Sequence, residues 1–148
     1  MAKRKAVVLD IDGVILKSSI IFKEIYDLQL RGDAMWDYFH KHCNSSRVVV
    51  LENIRPFIQS LGKDVIIIIS TARNEKCKEA TEKRLHEEGF YYEALYMRGK
   101  DDYRLSHEVK KDHLQEISKN YDIIAFVDDE LLNCQMAEKE GILALRRV

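Results

Sequence analysis

Proline, cysteine and net charge are what this chain has least of. A single proline, Pro56, in 148 residues excludes a proline-rich linker and leaves helices and strands uninterrupted. The three cysteines, Cys43, Cys77 and Cys134, are odd in number, far apart and without a C-x-x-C pair. That excludes a disulfide framework or thiolate zinc site and predicts a reducing compartment, the cytoplasm. A net charge of −1 excludes a global positive field, so any polynucleotide contact is expected to be local. No apolar run exceeds strand length, and the Met1-Ala2-Lys3-Arg4-Lys5 start leads directly into a strand; no membrane span or signal peptide is expected. Also missing is a G-x-x-x-x-G-K-[ST] loop. Gly62-Lys63 and Gly99-Lys100 lack its upstream glycine and following hydroxyl, so no P-loop nucleotide site is expected.

What is present is an alternation. Runs rich in β-branched residues at about 6–10, 64–70, 91–97, 122–127 and 142–146 predict strands, with helix-period segments at 74–88, 106–119 and 130–140 between them. Val65 to Ile69 is apolar throughout, as in a parallel strand covered on both faces. Asn74 and Ser106 are candidate helix caps, and Gly89 is a candidate stop. The predicted fold is α/β: a three-layer, Rossmann-like parallel sheet of about five strands with helices on both faces. Residues 1–148 read as one domain. After strand 1, about 14–61 contains a small helical insert, with helices at Ile20 to Leu30, Ala34 to Cys43 and Glu52 to Leu61 and no convincing strand pair apart from Val48 to Leu51.

The chemistry-bearing residues sit where the apolar runs stop. Asp10 and Asp12 are two apart at the end of the first strand, so an extended backbone turns both carboxylates the same way. Two anions about 4 Å apart repel by roughly 4 kcal/mol at an effective dielectric near 20, which calls for a cation or a shared proton. Gly13 then lets the chain turn away. Asp128-Asp129 ends a later strand in the same manner, and two acidic strand ends on one sheet edge suit Mg²⁺. Thr71, at the end of the second core strand, offers a hydroxyl and backbone N–H groups to phosphate. Lys110, with Lys111 as its rival, opens an amphipathic segment. Each has a plain structural reading as well: a D-G turn, a solvated helix terminus, a helix cap, a solvated lysine.

In this order, D-x-D-G, Thr, Lys and D-D resemble the haloacid dehalogenase (HAD) superfamily of phosphotransferases over essentially the whole chain. The sequence is also similar to the 3′-phosphatase domain of phage-type polynucleotide kinase/phosphatases. Trp36-Asp37-Tyr38-Phe39-His40, Leu95-Tyr96-Met97-Arg98, Asp101-Asp102-Tyr103-Arg104, Val109-Lys110, Val127-Asp128-Asp129 and Gly141-Ile142 carry that likeness.

The resemblance implies a Mg²⁺-dependent phosphomonoesterase in which Asp10 is the nucleophile and forms an aspartyl-phosphate. Asp12 protonates the leaving oxygen and then activates water. Thr71, Ala72, Arg73 and Lys110 bind the phosphoryl group. Mg²⁺ sits on Asp10, the Asp12 backbone carbonyl and Asp128, with Asp129 near. Arg98 and Arg104 are candidate substrate contacts. The implied substrate is a 3′-phosphorylated nucleic-acid end or a nucleotide. Ala72 stands where the family has glycine, and Glu130 where close relatives have arginine. The alternatives are a 5′(3′)-deoxyribonucleotidase or other small-molecule phosphatase and, in a different class, a phospho-accepting receiver domain, whose acceptor ends the third strand. His40, His42 and Cys43 are not spaced to chelate on a helix. Trp36, Tyr38 and Phe39 are expected to pack the insert onto the domain.

Overall fold

The computed structural model describes residues 2–148. In chain order its elements are β1 (Arg4–Leu9), β2 (Leu16–Lys17), α1 (Ser19–Asp27), α2 (Gly32–His42), β3 (Val49–Val50), α3 (Ile54–Ser60), β4 (Val65–Asn74), α4 (Lys78–Glu87), β5 (Ala94–Arg98), α5 (Ser106–Ser118), β6 (Tyr121–Asp128), α6 (Leu131–Lys139) and β7 (Ala144–Arg146). A single 3₁₀ turn, Glu75–Cys77, joins β4 to α4.

Five strands form one parallel sheet in the order β5-β4-β1-β6-β7. Strand β1 shows why three layers form. Its alternate residues Val7 and Leu9 join a buried cluster with Ile21, Ile25, Phe39, Ile54 and Leu85, so α1 to α4 cover that face. Ala6 and Val8 turn the other way onto Leu114, Ile117, Met136 and Ala137 of α5 and α6. Period-2 alternation on the strand and period-3.6 stripes on the helices thus meet on both faces. The expected three-layer α/β fold is the observed one.

The chain runs outward from β1 to β4 and β5, then crosses to β6 and β7 on the other side. In such a sheet the strand order reverses beside β1, and the crevice beyond the carboxyl ends there is the natural ligand site. Leu9 pairs with Val127 on one side and Ile69 on the other, so Asp10, Asp128 and Ser70 come level at that edge.

Four expectations need correction. The insert does contain a strand pair: Leu16-Lys17 runs antiparallel to Val50-Val49, two residues a side and too short for an alternating pattern to mark. Strand β4 does not end at Ser70 but continues to Asn74, pairing there with Arg98. Ser106 does not cap α5. Leu105 takes the cap position, its N–H bonded to the Glu108 carboxylate at 3.0 Å, and Ser106 is the first helical residue. Asn74 caps the 3₁₀ turn rather than α4, its Oδ1 accepting from the Lys76 N–H at 3.0 Å, and Cys77 takes the cap position of α4. Pro56 falls in the first turn of α3, where a missing N–H costs nothing.

Candidate active site

Asp10 follows the last residue of β1. Its backbone N–H bonds to the Val127 carbonyl at 3.0 Å, and only 5% of the residue is exposed. Lys110, on the inward stripe of α5, places Nζ 2.9 Å from Asp10 Oδ1 and 2.6 Å from Asp128 Oδ2. The stripe explains why Lys110 and not Lys111 reaches the acids. Lys110, His113, Leu114 and Ile117 are i, i+3, i+4 and i+7 and all buried, whereas Lys111 is exposed. Asp128 is fixed at its other oxygen by the Glu130 N–H at 2.9 Å and the Asn133 amide at 3.1 Å. One carboxylate oxygen each from Asp10, Asp128 and Asp129 lies within 4.8 Å of the others.

Asp12 contributes no carboxylate to that set. Arg73 grips it as a fork, Nη2 at 2.8 Å from Oδ1 and Nε at 3.0 Å from Oδ2, and the Ser18 hydroxyl donates to Oδ1 as well. The Arg73 side chain is wholly buried. Its Nη1 also donates to Asn44 Oδ1 at 2.6 Å and Thr81 Oγ1 at 3.1 Å, and Nη2 to the Cys43 carbonyl.

The electrostatics follow this geometry. Burial raises Asp10 well above the ordinary carboxylate range; Lys110 opposes the rise, and Asp128, Asp12 and Asp129 add to it. Burial, then repulsion from Asp128, lifts Asp129 to about 6. Burial also acts to raise Asp12, but the Arg73 charge, with hydrogen bonds from Arg73 and Ser18, outweighs it and leaves Asp12 below its usual value. Burial works against the Lys110 charge, yet Asp10 and Asp128 hold it firmly protonated. Three carboxylates around one ammonium leave an uncompensated negative charge in a largely buried pocket. An oxygen-only donor set with excess negative charge fits a hard divalent cation of the Mg²⁺ type.

The other expected site residues fall less evenly. Thr71 is fully buried beside the pocket on β4, its Oγ1 accepting from the Arg73 N–H at 3.1 Å. Ala72 gives its carbonyl to Arg98 Nε at 3.0 Å. Three of the expected arginines already have partners within the protein. Arg73 is committed to Asp12 and its neighbours. Arg98 donates from Nε to the Ala72 carbonyl and from Nη1 to those of Asp102 and Arg104, stapling the loop after β5 to the end of β4. Arg104 bridges Asp102 at 2.8 Å and Asp112 at 2.7 Å. His40 and His42 hold no joint site: His40 Nε2 accepts from the Asn74 N–H, and His42 packs on Tyr38 with ring centroids 4.2 Å apart. Phe39 is buried in the core cluster with Val7 and Leu9 as expected, while Trp36 stays 47% exposed.

Two partners escaped the sequence reading. Asn133, which orients Asp128, has no linear signal. His113, bonded to Ser70, lies on the same helical stripe as Lys110, and that stripe is legible.

A buried lysine among carboxylates, at the carboxyl edge of a doubly wound parallel sheet, places the chain among proteins of the HAD type. The family model for the HAD superfamily, subfamily IIIB (acid phosphatase), matches residues 1–146, and the chain belongs to that family. That family is one of phosphatases. A comparison with curated proteins found no match. Among solved structures, the chain is similar to one from a Pnkp1/Rnl/Hen1 complex, at TM-score 0.77 and 21% identity over 99% of this chain and 46% of the other. A class C acid phosphatase from Bacillus anthracis with tungstate bound matches at TM-score 0.68 and 18% identity, covering 99% and 68% of the two chains. A HAD-family enzyme from Bacteroides thetaiotaomicron, in a magnesium complex, matches at TM-score 0.58 and 16% identity, covering 98% and 93%. At these identities the likeness is one of fold. The chain spans less than half the length of the chains it matches in the two Pnkp1/Rnl/Hen1 structures.

Proposed function

We propose that the chain is a Mg²⁺-dependent phosphomonoesterase that works through an aspartyl-phosphate on Asp10 and releases phosphate from the 3′ end of a polynucleotide. The observation that carries the reading is the meeting of Asp10, Asp128 and Asp129 oxygens within 4.8 Å beside the Lys110 ammonium. Asp10 and Asp128, with Asp129 and the Asp12 backbone carbonyl, would hold the cation, which supplies positive charge that favours ionised Asp10 and draws electron density from the phosphoryl group. An Asp10 carboxylate oxygen attacks phosphorus, the bond to the leaving oxygen breaks, and Asp12 gives that oxygen a proton. Asp12 then takes a proton from water, the oxygen of which attacks phosphorus and frees Asp10 and inorganic phosphate. To act, Asp12 must exchange the Arg73 fork for the leaving oxygen and take up a proton from solvent, which loss of the Arg73 charge favours. Thr71, the backbone at Ala72, and Lys110 hold the phosphoryl oxygens. The insert at 14–61 forms a small cap over this edge of a single domain that works in the cytoplasm.

Support for a polynucleotide end comes from the fold shared with a chain of the Pnkp1/Rnl/Hen1 RNA repair complex, and from the aromatic insert element. One observation favours a second reading, a 5′(3′)-deoxyribonucleotidase: Arg98 and Arg104, which a nucleic-acid backbone would need, are each engaged by internal partners. The test is turnover of a 3′-phosphorylated oligonucleotide beside a panel of mononucleotides, with Mg²⁺ and with chelator. Chelation and Asp10→Asn are each expected to abolish turnover, and Asp12→Asn to slow it by about 10²–10⁴-fold. Brisk mononucleotide turnover with an inert oligonucleotide selects the second reading. Undiminished turnover by Asp10→Asn rejects both.

A further inference from the structure

Behind the acid cluster lies a second buried polar chain that the mechanism leaves unused. The Ser70 hydroxyl and His113 Nδ1 are 2.8 Å apart, and His113 Nε2 lies 3.1 Å from the Met97 carbonyl. Ser70 is fully buried and His113 is 8% exposed. A carbonyl only accepts, so Nε2 carries the proton, and bare Nδ1 accepts from the Ser70 hydroxyl. In the neutral imidazole both nitrogens are then satisfied. Burial keeps it so, holding its pKa down at about 4.

The placement gives this chain a consequence. Ser70 on β4 immediately precedes Thr71, and Met97 lies on the adjoining strand β5. His113 sits three residues after Lys110 on α5, with its ring against Tyr96 at 5.7 Å between centroids. The two hydrogen bonds thus tie the segment that presents Thr71 to the helix that presents Lys110. Leu114 and Ile117 already give α5 its apolar grip on the sheet. A polar tie in that location adds no further apolar burial; what it adds is register, since hydrogen bonds are directional where apolar contact is not.

We propose that His113, through Ser70, is a positioning residue that fixes the spacing between Thr71 and Lys110 and so the affinity of the site for a phosphoryl group. This rests on the assignment of Thr71 and Lys110 as phosphate-holding residues, and the test separates the two. The probe is inorganic phosphate as a competitive inhibitor of p-nitrophenyl phosphate hydrolysis by the Mg²⁺-loaded enzyme. Ser70→Ala, which removes one hydroxyl and little volume, and His113→Gln are each expected to raise the phosphate inhibition constant and KM about fivefold, the loss of about one neutral hydrogen bond. The double variant is expected to be no worse than the poorer single one, because both break the same chain. Lys111→Ala, on the exposed face of α5, is expected to leave phosphate inhibition unchanged. Should His113→Gln fail to fold, Ser70→Ala decides the matter alone.

A merely structural tie would lower the melting temperature in these variants without moving the inhibition constant. That result, obtained while Thr71→Val does raise the constant, overturns the inference and leaves the phosphate assignment standing. An unmoved constant in Thr71→Val removes the assignment and the inference together.

Discussion

Gly13 turns at φ +86°, and a Cβ placed there would overlap the Asp129 carboxylate. Both constraints act on Gly13→Ala: the left-handed backbone disfavours a side chain, and the carboxylate must move. The turn cannot open without shifting Asp12, and Asp129 cannot retreat without loosening the cation set. Displacements of about 1 Å at a reacting centre cost on the order of 100-fold in rate. Gly13→Ala is therefore expected to lose at least that much activity and to need more Mg²⁺ for half-maximal rate, measured by titrating Mg²⁺ in the hydrolysis assay. Activity within a few-fold of wild type at unchanged Mg²⁺ demand would show that the turn tolerates a methyl group.

At this scale, strand ends made the acids legible: Asp10, Asp128 and Asp129 each follow an apolar run. The arginines were not legible, because what decides an arginine's role is which carbonyl or carboxylate comes near it. Arg73, Arg98 and Arg104 each found such a partner through contacts that no spacing rule encodes.

Among the elements, the insert depends on α4 for its footing. Arg84, buried on α4, donates to the carbonyls of Asn44 at 3.3 Å and Ser45 at 2.9 Å and to that of Val48, and pairs with Glu88 at 3.1 Å. These carbonyls follow the end of α2, where Asn44 also bonds Arg73. Arg84→Met keeps the stem and leaves the carbonyls unpaired, at about 1–3 kcal/mol for each one that stays buried. The variant is expected to unfold at lower urea and to be cut faster by protease between residues 43 and 48, with activity reduced because Arg73 loses a support. Unchanged cleavage and unchanged urea midpoint would remove Arg84 from this role.

The major elements were readable, since α5, β4 and β6 carry long periodic or continuous apolar patterns. The pairing of β2 with β3 was not. Two residues a side give no alternation, and what holds the pair is the closure of the chain over Ile15, which accepts from the Leu51 N–H at 2.8 Å. The far end of β4 escaped for a related reason. Thr71 to Asn74 is polar, and it stays extended because Arg98 on β5 pairs with it.

For the molecule as a whole, acid should weaken the fold in two separate windows. His113 has a folded pKa of about 4 against roughly 6.5 when unfolded. Between those values the unfolded chain binds more protons than the folded one, so this contribution is complete above about pH 6.5 and lost as pH falls through about 4. It amounts to about 3 kcal/mol at most. Glu24 is held near 2 by its bonds from Arg47 and Tyr38, which join α1 to α2 and to the segment before β3. Its contribution is present above about pH 4.5 and disappears as pH falls through about 2.

Asp129 works in the opposite sense, because its raised value of about 6 means that the folded state gains a proton first. Net stability against pH therefore mixes signs, and the slope of the wild type alone identifies no group. The difference between wild type and His113→Gln isolates one. Measured by urea unfolding in chelator, that difference is expected to be largest above pH 6.5 and to shrink towards pH 4. Glu24→Gln is expected to leave the upper window intact and to flatten only the lower. A wild-type advantage over His113→Gln that stays constant from pH 7.5 to pH 4 would mean that the imidazole does not titrate between the two states, and that burial does not hold it neutral.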